Sequence, residues 1–159
     1  MAVFHYVHLR AFAHETESIP KVVAALRYVA QDPAAKFEDT HVEGSHGNKI
    51  VILDGEVKSA PAIKRLFSAL GRDDPPSFDH IVRTARERVD EHLNLHFRLD
   101  KQTAAQGRLV LASDDDAITV RAKIRSFESK RAGTALEGSL RDLEAFFSAL
   151  TAPSRTVGQ

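Results

Sequence analysis

Arg121, Lys123 and Arg125 recur at every second position, with Ile118, Val120, Ala122 and Ile124 alternating against them. A period of two marks a strand with one buried and one wet face. The cations then project from one side, successive ones about 7 Å apart, a step along which the phosphates of one nucleic-acid strand could run. From Ala117 to Arg131 there are five basic residues, Lys130 and Arg131 among them, against the single acid Glu128. Neutralising a polyanion is the chemistry such a run offers. The other reading is that alternating cations keep a strand soluble and guard a sheet edge against unwanted pairing.

Three further groups could do chemistry. His46, Asn48 and Lys49 lie in or beside the turn Gly44-Ser45-His46-Gly47-Asn48. Glycine and asparagine tolerate positive φ there, and the backbone N–H groups of such a turn can approach a phosphate or a base. Ordinary hairpin chemistry uses the same residues. Arg98, Asp100, Lys101 and Gln102 cluster at the end of a second alternating run, where Asp100 either pairs with Arg98 to position Lys101 or caps a helical turn over Lys101–Gln106. Asp114, Asp115 and Asp116 carry the hard oxygen atoms that Mg²⁺ and Ca²⁺ take. Three consecutive residues do not readily converge on one ion, however, and calcium-loop spacing is absent. A solvated turn is the better reading, with a metal-dependent nuclease the weakest of the alternatives. The eight histidines form no HExxH pair, and no Gly-rich phosphate loop or GxSxG motif occurs. With no cysteine, disulfide frameworks, zinc ribbons and thiol catalysis are excluded. No cofactor, no resident metal and no enzymatic activity are expected.

These residues need a scaffold. Ala2–Ala13 reads as a strand with Tyr6, His8 and Arg10 on one face. Ser18 or Thr16 can cap a helix starting near Pro20. Phe37–Glu43 and Lys49–Lys58 form a hairpin about the glycine turn, the second strand central because Ile50–Leu53 is apolar throughout. Ser59 caps a helix ended by Gly71, and Ser77 caps another. Leu93–Asp100 follows as a strand with Leu93, Leu95, Phe97 and Leu99 inward. Arg108–Leu111 reads as a short strand, then Ile118–Phe127 as a longer one. A last helix spans about Thr134–Leu150. Strands in pairs and triples mean an α+β fold: a mainly antiparallel sheet with helices packed on one face and the other face open. The basic positions point to that open face. If the sheet brings Arg98 and His96, or Arg10 and His8, alongside Arg121, the patch widens.

The 159 residues suffice for one core, read here as a single domain over 1–150 with a polar, disordered tail over 151–159. There are 22 basic and 22 acidic residues, so a local patch is compatible with zero net charge while indiscriminate polyanion binding is not. The opening residues lack a signal-peptide pattern and no apolar run could span a bilayer. A cytoplasmic protein with no membrane association is expected. Aromatic content is 7% with no Trp, which favours phosphate and shape readout of structured RNA over base stacking.

Three separated segments in order, Val42–Lys58, Glu87–Leu111 and Ser113–Arg131, together with Val7–Glu17, resemble the archaeal family of RNA-binding domains described as predicted exosome subunits. The likeness rests on the EGSHGN turn, the FRLDKQ strand end and the DDD turn leading into a basic strand. It implies a fold similar to that of the ribosomal protein that carries 5S rRNA, RNA as partner, a link to the RNA-processing exosome, and no catalytic residue set. The RNA-contacting residues expected are thus His46, Asn48, Lys49, Arg98, Lys101, Gln102, Arg121, Lys123, Arg125, Lys130 and Arg131. The alternative is a protein-interaction subunit or homodimer without direct RNA binding.

Overall fold

The computed structural model describes residues 3–125 and 135–151. β1 (Phe4–His14) leads into α1 (Ile19–Ala30). β2 (Glu38–Glu43) and β3 (Lys49–Val57) form the hairpin, followed by α2 (Ala60–Asp73), α3 (Pro75–Arg83) and α4 (Ala85–Arg88). Then come β4 (Asn94–Asp100), the short α5 (Lys101–Ala105), β5 (Ala117–Ile124) and α6 (Ala135–Thr151). The strands make one sheet in the order β2-β3-β1-β5-β4, every neighbouring pair antiparallel. This is the α+β arrangement that the strand pattern predicts.

Alternation decides which face is covered. Val7, Leu9, Ala11 and Ala13 of β1 are buried, as are Leu95, Phe97 and Leu99 of β4 and Ile118, Val120, Ala122 and Ile124 of β5. They share one core with Leu26 and Val29 of α1, Leu66, Phe67 and Leu70 of α2, and Leu143 and Phe147 of α6. Phe67 is the hub, its ring 5.3 Å from Phe4, 5.8 Å from Phe97 and 5.7 Å from Phe147. The helices start where the caps predict. Ser18 Oγ accepts from the Lys21 N–H and Ser59 Oγ from that of Ala62, each with a proline in the first turn. Asp100 likewise caps α5, its carboxylate accepting from the Thr103 N–H at 2.9 Å.

Four local expectations are corrected. Residues 108–111 form no strand of the sheet. They touch the outer edge of β4 through a single bridge, Leu99 to Leu111, with Asp100 donating to the Val110 carbonyl and Ala112 to that of Arg98. They cover an edge that would otherwise be bare. Leu93 falls outside β4 at φ 63, in a tight turn whose amides bond to Asp90; its contacts with the core outweigh the left-handed backbone. Gly71 does not end α2, which continues to Asp73 over Phe78. Asp74, not Ser77, precedes α3. Ser77 is buried within the helix, donating to Asp74 and accepting from the Leu111 N–H.

Candidate nucleic-acid interface

Strand register places the basic residues. On the uncovered face His8 of β1 stands opposite Arg121 of β5, and Arg121 stands opposite His96 of β4. One row along, Arg10, Thr119 and Arg98 align in the same way; on the other side Tyr6, Lys123 and Asn94 do. Three adjacent strands thus present Arg10, Arg98, Arg121 and Lys123 to one side, strands about 4.8 Å apart and rows about 7 Å apart. Acids bound this field. Asp54 and Glu56 of β3 lie opposite Arg10 and His8, and Asp54 is 3.9 Å from Arg10 and 3.7 Å from His8.

The cations differ in how they are held. Arg121 is half-buried, and no carboxylate is in ion-pair contact with it among the described residues. Lys123 is half-buried and donates to the His92 carbonyl, which fixes its ammonium over the turn before β4. Arg98 donates through Nη1 to the Asp114 carbonyl and the Asp115 carboxylate, both at 3.3 Å. Burial and the Arg121 charge push the His8 pKa below its ordinary value, against the pull of Asp54. His96 is tied 2.7 Å from Asp90. Burial alone would raise the Asp90 pKa, but hydrogen bonds from His96, Asn94 and the His92 amide bring it well below the usual carboxylate range.

The remaining expected residues lie elsewhere. Arg125 sits half-buried just past β5, with its N–H on the Val3 carbonyl and its own carbonyl accepting from Ser139. Lys130 and Arg131 lie outside the described residues. His46, Asn48 and Lys49 are exposed on the β2–β3 turn, closed by hydrogen bonds from Gly47 N–H to Gly44 O and from Gly44 N–H to Asn48 O, with Gly47 at φ 81. That turn adjoins the end of the sheet where Ile50 pairs with His14. From His14 to His8 is six residues of strand, about 20 Å, so the turn and the cationic rows are separate. Between them lie Phe12, Ile50, Ile52 and Val42, with Phe12 42% and Val42 40% exposed.

Lys101 is a correction. It is 2% exposed, and its ammonium is spent on the Phe12 carbonyl at 2.7 Å, Glu17 at 2.9 Å and Asp116 at 2.7 Å. A cation enclosed in this way is a structural fastener, not a contact for a phosphate. Gln102 is exposed beside it and hydrogen-bonds Asp116. The three aspartates diverge: Asp114 Oδ1 accepts from the Asp116 N–H, Asp115 meets Arg98 and Asp116 meets Lys101. Among the described residues, Asp116 alone of the three joins a group with possible metal-ligand geometry, with His14 and Glu17. The Lys101 ammonium already supplies positive charge to both of its carboxylates.

Sequence reasoning left Arg10 and His8 conditional on strand order, which alternation within one strand does not encode. It also gave no role to Arg88, which donates to the His96 carbonyl at 3.3 Å on the outer edge of β4. A packing pattern spanning a turn carries no period that would have revealed it.

A family model described as RNA binding matches residues 6–124. A protein of Pyrococcus abyssi named as an RNA-binding protein is 31% identical over 132 residues, covering 80% of this chain and 86% of that relative. Among solved structures, a DUF54-family protein of Archaeoglobus fulgidus is 26% identical with a TM-score of 0.73, covering 90% of this chain and 99% of its own. A DUF54 protein of Methanothermobacter thermautotrophicus is 28% identical with a TM-score of 0.72, covering 91% and 98%. With the family model spanning the whole sheet from β1 to β5, the chain belongs to this RNA-binding family.

Proposed function

We propose that the chain is a non-catalytic, cytoplasmic RNA-binding protein that takes the backbone of a structured RNA across the open face of its sheet. The observation that carries this reading is the register that aligns Arg10, Arg98, Arg121 and Lys123 on three neighbouring strands, with no helix over them among the described residues. Phosphates repay the proximity of these cations, and His8, whose protonation the Arg121 charge opposes, can take up a proton more readily when an anion is present. The His46–Lys49 turn gives a second contact for an RNA long enough to reach it, and Arg125, with Lys130 and Arg131 later in the sequence, is included among the proposed contacts. The proposal extends to a fold like that of the carrier of 5S rRNA, which makes a folded ribosomal helix the first RNA to try. Association with the exosome is a further part of the proposal, checked by co-purification from native extract.

The test is the salt dependence of RNA affinity for the wild type and for Arg10→Ala/Arg121→Ala/Lys123→Ala. Each phosphate contact contributes a slope of about −0.7 to −0.9 on a log–log plot. The triple variant should lower the slope by about two to three units. An unchanged slope would remove this face from the interface.

A second reading has its own support. Phe12 and Val42 are exposed beside half-buried Ile50 and Ile52, an apolar half of the same face that fits a protein surface or a second copy of the chain. Phe12→Glu would then shift a concentration-dependent dimer to monomer in sedimentation. A wild-type monomer at all concentrations would count against the homodimer.

A further inference from the structure

The cationic field does not stop at the sheet edge. Behind β4 lies a small cavity of about 290 Å³ lined by His80, Arg88, Arg98, Leu111 and Ala112. Its walls come from α3, α4, β4 and the segment that covers the edge of β4, and among the described residues its charged or titratable lining groups are all basic. Arg98 belongs both to this cavity and to the open face, so the two surfaces meet at one side chain.

Arg88 is the informative residue. Its Nε donates to Thr84 Oγ1 at 2.7 Å and its Nη1 to the His96 carbonyl at 3.3 Å. Thr84 Oγ1 in turn donates to the His80 carbonyl at 2.7 Å, so α3, α4 and β4 together fix the guanidinium. No carboxylate is in ion-pair contact with it among the described residues, and burial disfavours its charge with only Glu87 in partial compensation. A part-buried, immobilised cation without an acid is costly unless an anion is meant to meet it. Asp79 of α3 pairs with Arg83, and Asp115 is a fully exposed partner of Arg98 that an incoming anion can displace.

We infer that this cavity is a phosphate site, formed by Arg88 and Arg98 with His80 at its rim, which receives a backbone phosphate where the RNA passes over the edge of β4. The planar fork of arginine suits a tetrahedral oxyanion with two hydrogen bonds from one side chain. Leu111 and Ala112 complete the lining. The inference rests on the RNA-binding reading for the identity of its ligand, but the site itself can be probed without RNA.

The experiment is a titration of the full chain with inorganic phosphate, followed through backbone amide NMR shifts, alongside RNA binding as a function of salt. The wild type is compared with Arg88→Gln and His80→Ala. Saturable shifts at Thr84, Leu111 and Ala112, weakened several-fold in both variants, support the site, as does an RNA salt slope reduced by about 0.7 to 0.9 in Arg88→Gln. His80 is exposed and its side chain tethers nothing among the described residues, so His80→Ala keeps the test open should Arg88→Gln unfold. Phosphate shifts that are absent, or equal in all three proteins, overturn the site. Phosphate binding in the cavity without any RNA binding would uphold the site and sink the RNA-binding reading instead.

Discussion

Asp116 Oδ1 lies 2.7 Å from the Lys101 ammonium, and that ammonium is buried beneath the end of the sheet. One cation there satisfies Asp116, Glu17 and the Phe12 carbonyl at once. It joins the start of α5 and the turn before β5 to the end of β1, where β1 has no ladder partner on its β5 side beyond Arg10. Lys101→Met should therefore cost about 3 kcal/mol, the low end for breaking a buried pair, because both carboxylates keep some water. Chemical denaturation measures the loss. RNA affinity per folded molecule should be unchanged, and a selective loss of affinity in a variant of normal stability would return Lys101 to the interface.

Acid should destabilise the fold in two windows. The His8 pKa is lowered from 6.5, so below that value the unfolded chain binds a proton that the folded chain resists. Stability then falls with pH from about 6.5 down to the folded value and no further on this account. The carboxyls of Asp90, Asp116 and Asp73 are all held below 3.8 in the fold. Their stabilisation is complete above that value and disappears as pH drops through the folded ones. Asp90→Asn should lose about 1–2 kcal/mol near neutrality through its charged hydrogen bonds, and the gap to wild type should start to narrow once pH drops below 3.8. Denaturant midpoints across pH 7.5 to about 2.5 test both windows. A wild-type curve flat between pH 6.5 and 4.5 would eliminate the His8 contribution.

The alternation in β1, β4 and β5 is a local property, and it placed Arg98, Arg121 and Lys123 on wet faces without any knowledge of the sheet. Whether those faces coincide is a property of strand order, which is set by how α1, α2 and α6 pack and is not written in any one segment. Caps were equally local: Ser18, Ser59 and Asp100 lie where a side-chain oxygen meets a free helical N–H. Leu93 shows the limit. Its spacing continues the inward series of β4, but a turn anchored by Asp90 claims it first. Lys101 shows another: a lysine beside arginine reads as an interface, and only long-range contact with Phe12 and Glu17 reveals its burial.

The turn can be tested apart from the cationic rows. Gly47 has φ 81 with open space where a Cβ would be, so Gly47→Ala clashes with nothing but brings about 1 kcal/mol of backbone strain, which a shift of the exposed turn relieves. It should rearrange His46 and Asn48. An RNA too short to span the roughly 20 Å from the cationic rows should bind the variant normally, while a longer one should bind several-fold more weakly. Equal affinities for the long RNA would confine the interface to β1, β5 and β4.

Arg98 offers a gain-of-function test. Asp115 is fully exposed and holds the Arg98 guanidinium at 3.3 Å, in competition with any phosphate that approaches. An exposed pair of this kind adds little to stability. Asp115→Asn should therefore leave the unfolding midpoint unchanged while removing a negative charge from the border of the interface and freeing Arg98. RNA affinity should rise by about two- to five-fold at low ionic strength, and the gain should shrink as added salt shortens the screening length to a few ångströms. A gain that persists at high salt would point to a conformational change in the 113–116 turn. No gain at low salt would mean that Arg98 does not meet the RNA backbone, leaving Arg10, Arg121 and Lys123 to carry the contact alone.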